Sequence, residues 1–334
     1  MSNLKEILEK KKICKSVWFM RQAGRYLPEF RRIRLQNQNF IDLCLSSELI
    51  TEITLQPIKR YNLNSAIIFS DILMVPYALN QRIEFIKNNG PLLEKFNLKK
   101  FLDNNNISFI RKLQPIYKAI QKTRKELDKE KSLIGFIGAP WTLLIYMLGI
   151  KKNKKGIDYK KIEINGNEIN LIFNKLNDYL CKHIEKQVDA GVDVIQIFDS
   201  WAGLILPKDL YNYCYMPNLK IVDFCKKKKV PVICFPKGLN KNYKDFNNIV
   251  KPNAISLDYD INPSWVRQNL ADVVLQGGLN PNLLLSSDKE MIVGAKKYLD
   301  IFKGLPYIFN LGHGLLPQTD PDKVSKLIKF YREY

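Results

Sequence analysis

The amino-acid sequence predicts an α/β protein folded as a single closed (β/α)8 barrel, a TIM barrel. Three observations lead there. Eight short apolar runs rich in Val, Ile and Phe recur along the chain, as strands buried on both faces do. Helix-length amphipathic stretches separate most of them, the mark of a parallel sheet covered by helices. The 334 residues suffice for eight such units, and no Pro-, Gly- or Ser-rich linker divides them, so residues 1–334 are expected to form one domain.

In chain order the strands are expected at Val17–Met20, Ala66–Phe69, Leu133–Ile137, Val192–Phe198, Val230–Phe235, Ala254–Leu257, Val273–Leu275 and Tyr307–Phe309. The seventh is the weakest, only three residues long. After the first run, Leu49, Ile50, Ile53 and Ile58 trace one helix face, with Pro57 expected to kink it. Before the fourth, Leu176, Tyr179, Leu180, His183, Ile184, Gln187 and Val188 follow the i, i+3, i+4, i+7 spacing. Two excursions interrupt the alternation, at 78–131 and at 150–170. The second is rich in Lys, Asn and Gly and is expected to be mobile.

Composition narrows the function. Hydrophobic residues make up 46% and charged residues 26%, proportions of an ordinary globular protein. No apolar run reaches the ~18 residues that span a bilayer. The opening stretch MSNLKEILEKKKICKS mixes acids with bases and lacks an apolar core, so no secretory signal and a cytoplasmic location are expected. The net charge of +20 invites a nucleic-acid reading. But the 42 Lys are spread along the chain against 11 Arg, in short runs not interleaved with aromatics. No organised nucleic-acid footprint results. Six scattered cysteines without a C-x-x-C pair, and only two histidines, offer no metal-ligand spacing.

In such a barrel the chemistry sits at the carboxyl ends of the strands. The residues just past the apolar runs include Arg21 and Arg25, Ser70 and Asp71, Gly138-Ala139-Pro140-Trp141-Thr142, Asp199-Ser200-Trp201-Ala202-Gly203, Lys237, Asp258, Gly277-Gly278 and Gly312-His313-Gly314. Two arginines, two or three carboxylates, a Ser and a His would thus share one rim. Arg is the better fork for planar carboxylates, and it stands out here against a Lys-rich background. The competing reading for Arg21 and Arg25 is surface pairing with Glu29 or Glu48. For Asp71, taken alone, it is a cap on the next segment.

Other constellations fit less well. Asp199, Ser200 and His313 suggest a hydrolase triad, but no G-x-S-x-G elbow surrounds the serine. The glycines at 277–278 and 312–314 could form a phosphate cup, a weak signal. No nucleotide-binding glycine motif occurs. His183 lies on an apolar helix stripe and reads as a core histidine. His313 has flanking glycines that would let the backbone approach a ligand.

Taken together, the strand-end segments resemble the uroporphyrinogen decarboxylase family. Trp18-Phe19-Met20-Arg21-Gln22-Ala23-Gly24-Arg25-Tyr26-Leu27-Pro28-Glu29 is similar to its N-terminal signature and Ile68-Phe69-Ser70-Asp71-Ile72-Leu73 to its second. Gly138–Thr142, Tyr146-Met147, Phe198–Gly203 and Phe309–Gly314 match in family order. The resemblance implies a homodimeric barrel that uses no cofactor or metal. It implies conversion of uroporphyrinogen III to coproporphyrinogen III in haem (tetrapyrrole) biosynthesis, four ring acetates becoming methyls. Arg21 and Arg25 match the family's carboxylate-binding arginines, and Asp71 the aspartate that holds the pyrrole N–H groups. Tyr146, Ser200 and His313 match further cleft residues, and Phe198 an apolar wall. Arg21, Asp71 and Tyr146 are the expected catalytic set. The chain departs from the family at Gly278-Leu279-Asn280-Pro281, where Asn-Leu-Asp-Pro is expected, and at Pro217-Asn218, where Pro-Tyr is expected. A corrinoid-linked methyltransferase of the same barrel type would need His-x-Cys for zinc, and neither histidine is so followed.

Overall fold

The computed structural model describes residues 4–86, 90–153, 156–158, 162 and 164–334. Seven strands form one parallel sheet in chain order: β1 (Ser65–Ile67), β2 (Ser132–Gly138), β3 (Val194–Asp199), β4 (Val232–Pro236), β5 (Ala254–Leu257), β6 (Val274–Gly277) and β7 (Tyr307–Ile308). Each overlaps an expected run, and β6 is longer than the sequence suggested.

The first expected strand, Val17–Met20, is not one. Val17 makes a single parallel bridge to Phe309. The Phe309 N–H donates to the Ser16 carbonyl at 2.9 Å, and the Asn64 N–H donates to Val17 O at 3.2 Å. This segment therefore touches both edges of the sheet and closes the ring. It stays irregular because side-chain amides replace the ladder: Asn64 Oδ1 takes the Val17 N–H, Gln22 Oε1 the Phe19 N–H, and Asn310 Oδ1 the Met20 N–H. Buried backbone donors must be paired by something, and here the partners are side chains.

The barrel interior is mixed. Trp18, Met20, Ile67, Ile134, Val194, Ile233, Ala254, Val274 and Ile308 pack with Leu4, Ile7 and Leu8. Those three lie on one face of the helix Leu4–Lys10, which thereby plugs the amino-terminal end of the barrel. Above them sits a polar layer that an apolar reading of the strands misses. Trp18 Nε1 donates to Gln276 Oε1, and Gln276 Nε2 donates to Gln196 Oε1 and Ser256 Oγ. Each bond contributes ~1 kcal/mol net, and breaking one would strand a buried polar group at greater cost.

Outside the barrel, Ser47–Tyr61 is helical through Pro57. Gly166–Asp189 is a helix opened by an Asn165–Glu168 capping box. It buries Leu176, Tyr179, Leu180, His183, Ile184 and Gln187 of the expected stripe and leaves Val188 half-buried. The 78–131 excursion holds an antiparallel hairpin (Ile83–Ile86 with Gly90–Leu93) and the helix Asn106–Glu126. In the 150–170 excursion Lys152–Asn153 pairs with Gly156–Ile157. Residues 154–155, 159–161 and 163, which the expected mobile segment includes, lie outside the described residues.

Candidate active site

Arg21 occupies the tip of a tight turn, with φ +60°. A non-glycine residue there costs ~1–2 kcal/mol. The turn is held closed from three sides. Gln22, fully buried, accepts the Phe19 N–H and donates through Nε2 to Ser65 O. Asn310, also fully buried, takes the Met20 N–H, and the Leu315 N–H donates to Met20 O at 2.9 Å. The backbone is thus clamped between β1 and the segment after β7, leaving the Arg21 side chain exposed.

The pairing partners proposed for the two arginines are taken. Glu29 forms a two-bond ion pair with Arg60 at 2.8 and 3.0 Å, and Glu48 pairs with Lys122. Among the described residues neither Arg21 nor Arg25 makes an ion pair. Both are exposed cations available to an anion, and Arg25 lies within electrostatic reach of Arg34.

Asp71 follows β1. Its Oδ1 accepts the Leu73 N–H at 2.8 Å, so the capping role is real. That bond uses one oxygen, and among the described residues the other has no hydrogen-bond partner. The residue is half-buried by area, yet protein crowds the carboxylate. Desolvation raises its pKa, against the lowering pull of the Leu73 N–H and of Arg21. An acceptor held in a dry setting beside a cation suits a ligand that brings its own N–H donors.

His313 is half-buried, with its Nδ1 accepting the Gly314 N–H at 2.8 Å. The ring proton of the neutral imidazole must then sit on Nε2. Burial, Lys237 and Arg21 together lower its pKa to about 4, so the ring is neutral near pH 7. The flanking glycines are required by the packing around them. A Cβ on Gly312 would lie 2.5 Å from Tyr259 N, and one on Gly314 2.3 Å from Arg21 Cδ. Both glycines make room for other parts of the protein.

An aromatic wall continues the site. Phe198 packs edge-on against Phe136 at 5.7 Å and Phe235 at 6.5 Å. Tyr146 stands edge-on to Trp201 at 5.6 Å, next to Ser200. Tyr146, Phe198 and Ser200 are each half-buried. Asp71, Tyr146, Phe198 with Ser200, and His313 thus sit at or beyond the carboxyl ends of β1, β2, β3 and β7, with Arg21 within electrostatic reach of both Asp71 and His313.

Two rim carboxylates expected from the sequence are not there. Asp199 is buried, accepting from Thr142 Oγ1 at 2.6 Å, Asn218 Nδ2 at 3.2 Å and Cys214 Sγ at 3.6 Å. Asp258 is buried under the Gly238 N–H, the Tyr243 hydroxyl and the Asp260 and Ile261 N–H groups. Both spend their acceptors on the fold. The triad reading fails on the same facts, since Asp199 does not reach His313 and the His313 Nδ1 is an acceptor. The phosphate cup fails too: Cβ atoms on Gly277 and Gly278 would strike Leu311 O at 2.8 Å and the Tyr298 ring at 2.5 Å. The departures at Asn218 and Asn280 are local. Asn218 serves Asp199 and the Cys214 carbonyl, and Asn280 caps the turn Pro281–Leu285. Gln22 and Asn310 are contributors that the sequence motifs include without indicating a role, and Gly314 serves Arg21 where a ligand-approach role was expected. Their value lies in long-range hydrogen bonds and clearances.

Among the described residues no group of three or more His, Cys, Asp or Glu is arranged to hold a metal ion, and no helix is long and apolar enough to cross a membrane.

Comparison with known proteins places the chain in a family. The family model described as uroporphyrinogen decarboxylase matches residues 4–334. The chain is 39% identical over 324 residues to the uroporphyrinogen decarboxylase of Rickettsia bellii, covering 95% of this chain and 94% of that one. It is 39% identical over 328 residues to that of Orientia tsutsugamushi, with the same coverage. Among solved structures, a methyltransferase from Methanosarcina mazei superposes with a TM-score of 0.76 at 14% identity, covering 99% of this chain and 97% of that one. At that identity the likeness is one of fold.

Proposed function

Because the chain belongs to the uroporphyrinogen decarboxylase family and is a carboxy-lyase of haem biosynthesis, we propose that Asp71, Arg21 and Tyr146 carry its chemistry. In this reading Arg25, Phe198, Ser200 and His313 complete the substrate site. The single observation that carries it is Asp71: the one strand-end aspartate of the three whose carboxylate retains an unused acceptor.

The chemistry sets what the site must do. An acetate on a pyrrole cannot lose CO₂ directly, because the electron pair left behind has no stable place to go. Protonation of the neighbouring ring carbon, between the nitrogen and the carbon that bears the acetate, makes an iminium whose conjugation reaches the acetate-bearing carbon. The C–C bond to the carboxylate then breaks, its electrons neutralise the iminium, and an exocyclic methylene remains. A second proton on that methylene gives the methyl group, and loss of the first proton from the ring carbon restores the pyrrole. The substrate is its own electron sink, so this reading needs no cofactor.

The protein's part is electrostatic. Asp71 accepts hydrogen bonds from the pyrrole N–H groups, which favour its ionised form, and its charge opposes the transient ring cation. Arg21 and Arg25 hold peripheral carboxylates. Arginine side chains keep their proton in proteins, so Arg21 is a holder of anions and not a proton donor. The Nε2–H of neutral His313 suits a hydrogen bond to a carboxylate oxygen. Phe198 and its aromatic neighbours present an apolar wall to the macrocycle, and the Tyr146 and Ser200 hydroxyls face its rim. The reading also carries a cytoplasmic homodimer with residues 1–334 acting as one barrel domain.

Purified protein, without additives, should convert uroporphyrinogen III to coproporphyrinogen III, read as CO₂ release and as porphyrins separated by carboxylate number. Asp71→Asn should retain its circular dichroism spectrum and lose ~10²–10³ in kcat, as removal of a preorganised charge does. A folded Asp71→Asn protein working at the full rate would overturn the assignment.

A further inference from the structure

Beside Asp71 lies a small, partly enclosed cavity, about 10 Å³ in which a water-sized sphere can centre. That is roughly the room one water needs. Ser70, Asp71, Phe136, His183 and Gln187 are among its walls. Cavities lined only by aliphatic groups stay dry, whereas several polar walls make an ordered water favourable.

His183 is 5% exposed, and its Nδ1 lies 2.9 Å from the Tyr117 hydroxyl. Burial pushes the Tyr117 phenol well above its ordinary pKa and holds His183 down to about 3. A protonated phenol beside a neutral imidazole donates to Nδ1, which leaves the ring proton on Nε2. Among the described residues that N–H has no acceptor, and the Ser70 hydroxyl has no partner either. Gln187 bonds the Phe136 N–H through Oε1 and the Phe136 carbonyl through Nε2, each at 3.1 Å. One amide proton and one lone pair on that side chain remain.

We propose that the cavity holds one ordered water that accepts the His183 Nε2–H and donates to Ser70 and Asp71, making His183 a positioning residue for the decarboxylation. This rests on the assignment of Asp71 above. The Leu73 N–H fixes one carboxylate oxygen at 2.8 Å. A second tether from the cavity stops the group from rotating away from the macrocycle, and electrostatic catalysis depends on such fixed aim. A histidine that only filled core space would be replaceable by phenylalanine.

Two measurements test it. A high-resolution crystal structure of the protein should show one water within hydrogen-bond distance of His183 Nε2 and Ser70 Oγ. A dry cavity overturns the proposal, whatever Asp71 does. In kinetics, His183→Phe should lower kcat about tenfold with KM nearly unchanged, and His183→Gln, which keeps a donor near the Nε2 position, should recover most of it. Should His183→Phe not fold, Ser70→Ala cuts the other end of the bridge and should show the same kcat-only loss. Wild-type kcat in the folded variants overturns the positioning role. Full activity in Asp71→Asn would sink the assignment of Asp71 without touching the crystallographic result, so the two failures are separable.

Discussion

Gly314 is bare where Arg21 needs space: a Cβ at Gly314 would stand 2.3 Å from Arg21 Cδ and 2.6 Å from Cγ. The obstructed atoms belong to a long, exposed side chain, which can move at little cost to the fold. Gly314→Ala is therefore expected to leave the melting temperature close to that of wild type while lowering kcat/KM for uroporphyrinogen at least tenfold, since small misplacements of a positioning group are costly. Thermal melts and steady-state kinetics on the same preparation check this. A large loss of stability with normal kcat/KM would show that the glycine serves the fold and not the arginine.

The two histidines are held neutral, His313 down to about 4 and His183 down to about 3. Neither imidazole should titrate between pH 5 and 8 in the free enzyme. Heteronuclear NMR of ¹⁵N-histidine-labelled protein should show both rings as the Nε2–H tautomer throughout that window. A titration near pH 6.5 in either ring would contradict the geometry around Gly314 and Tyr117.

Burial raises Asp199 from 3.8 to about 6, against the pull of Thr142, Asn218 and Cys214. The folded state thus holds this proton more tightly than the unfolded chain does. A raised carboxyl pKa contributes stability that is fully present below pH ~4 and is lost as pH rises toward 6. The melting-temperature advantage of wild type over Asp199→Asn should accordingly be greatest near pH 4 and shrink by pH 6, then stay level. A gap that widens with pH would mean that the three donors outweigh desolvation.

The net charge of +20 and the unpaired Arg21 and Arg25 predict electrostatic steering of a polycarboxylate substrate. Raising ionic strength from ~50 to ~200 mM shortens the screening length and should lower kcat/KM several-fold, mainly through KM. Stopped-flow and steady-state rates across that range provide the check. A flat profile would assign the lysine excess to a solvated surface alone.

Much of the site could be read in the chain itself because barrels place chemistry at strand ends. Arg21, Asp71, Ser200 and His313 follow an apolar run, whereas Tyr146 and Phe198 were named only through the family resemblance; the order of the last seven runs became the order of the parallel strands. Apolar periodicity is a local property, so seven strands and the helix stripe carrying His183 were legible without coordinates. The strand misread at 17–20 shows the limit. Its composition is that of a buried strand, but its donors are met by Gln22, Asn64 and Asn310, two of them far along the chain.

Sequence alone determined the fold class, the family signatures and the short list of candidate side chains. Tertiary structure decided which of them remain available. Asp71, Asp199 and Asp258 look alike as strand-end aspartates, yet two are consumed by donors such as Thr142, 57 residues away, and Tyr243, 15 residues away. It also decided that the glycines around His313 serve Arg21 and the Tyr259 backbone. The physical reason is the same in each case: a side chain's hydrogen-bonding capacity and free volume are spent on neighbours in space, and spacing along the chain does not reveal who those neighbours are.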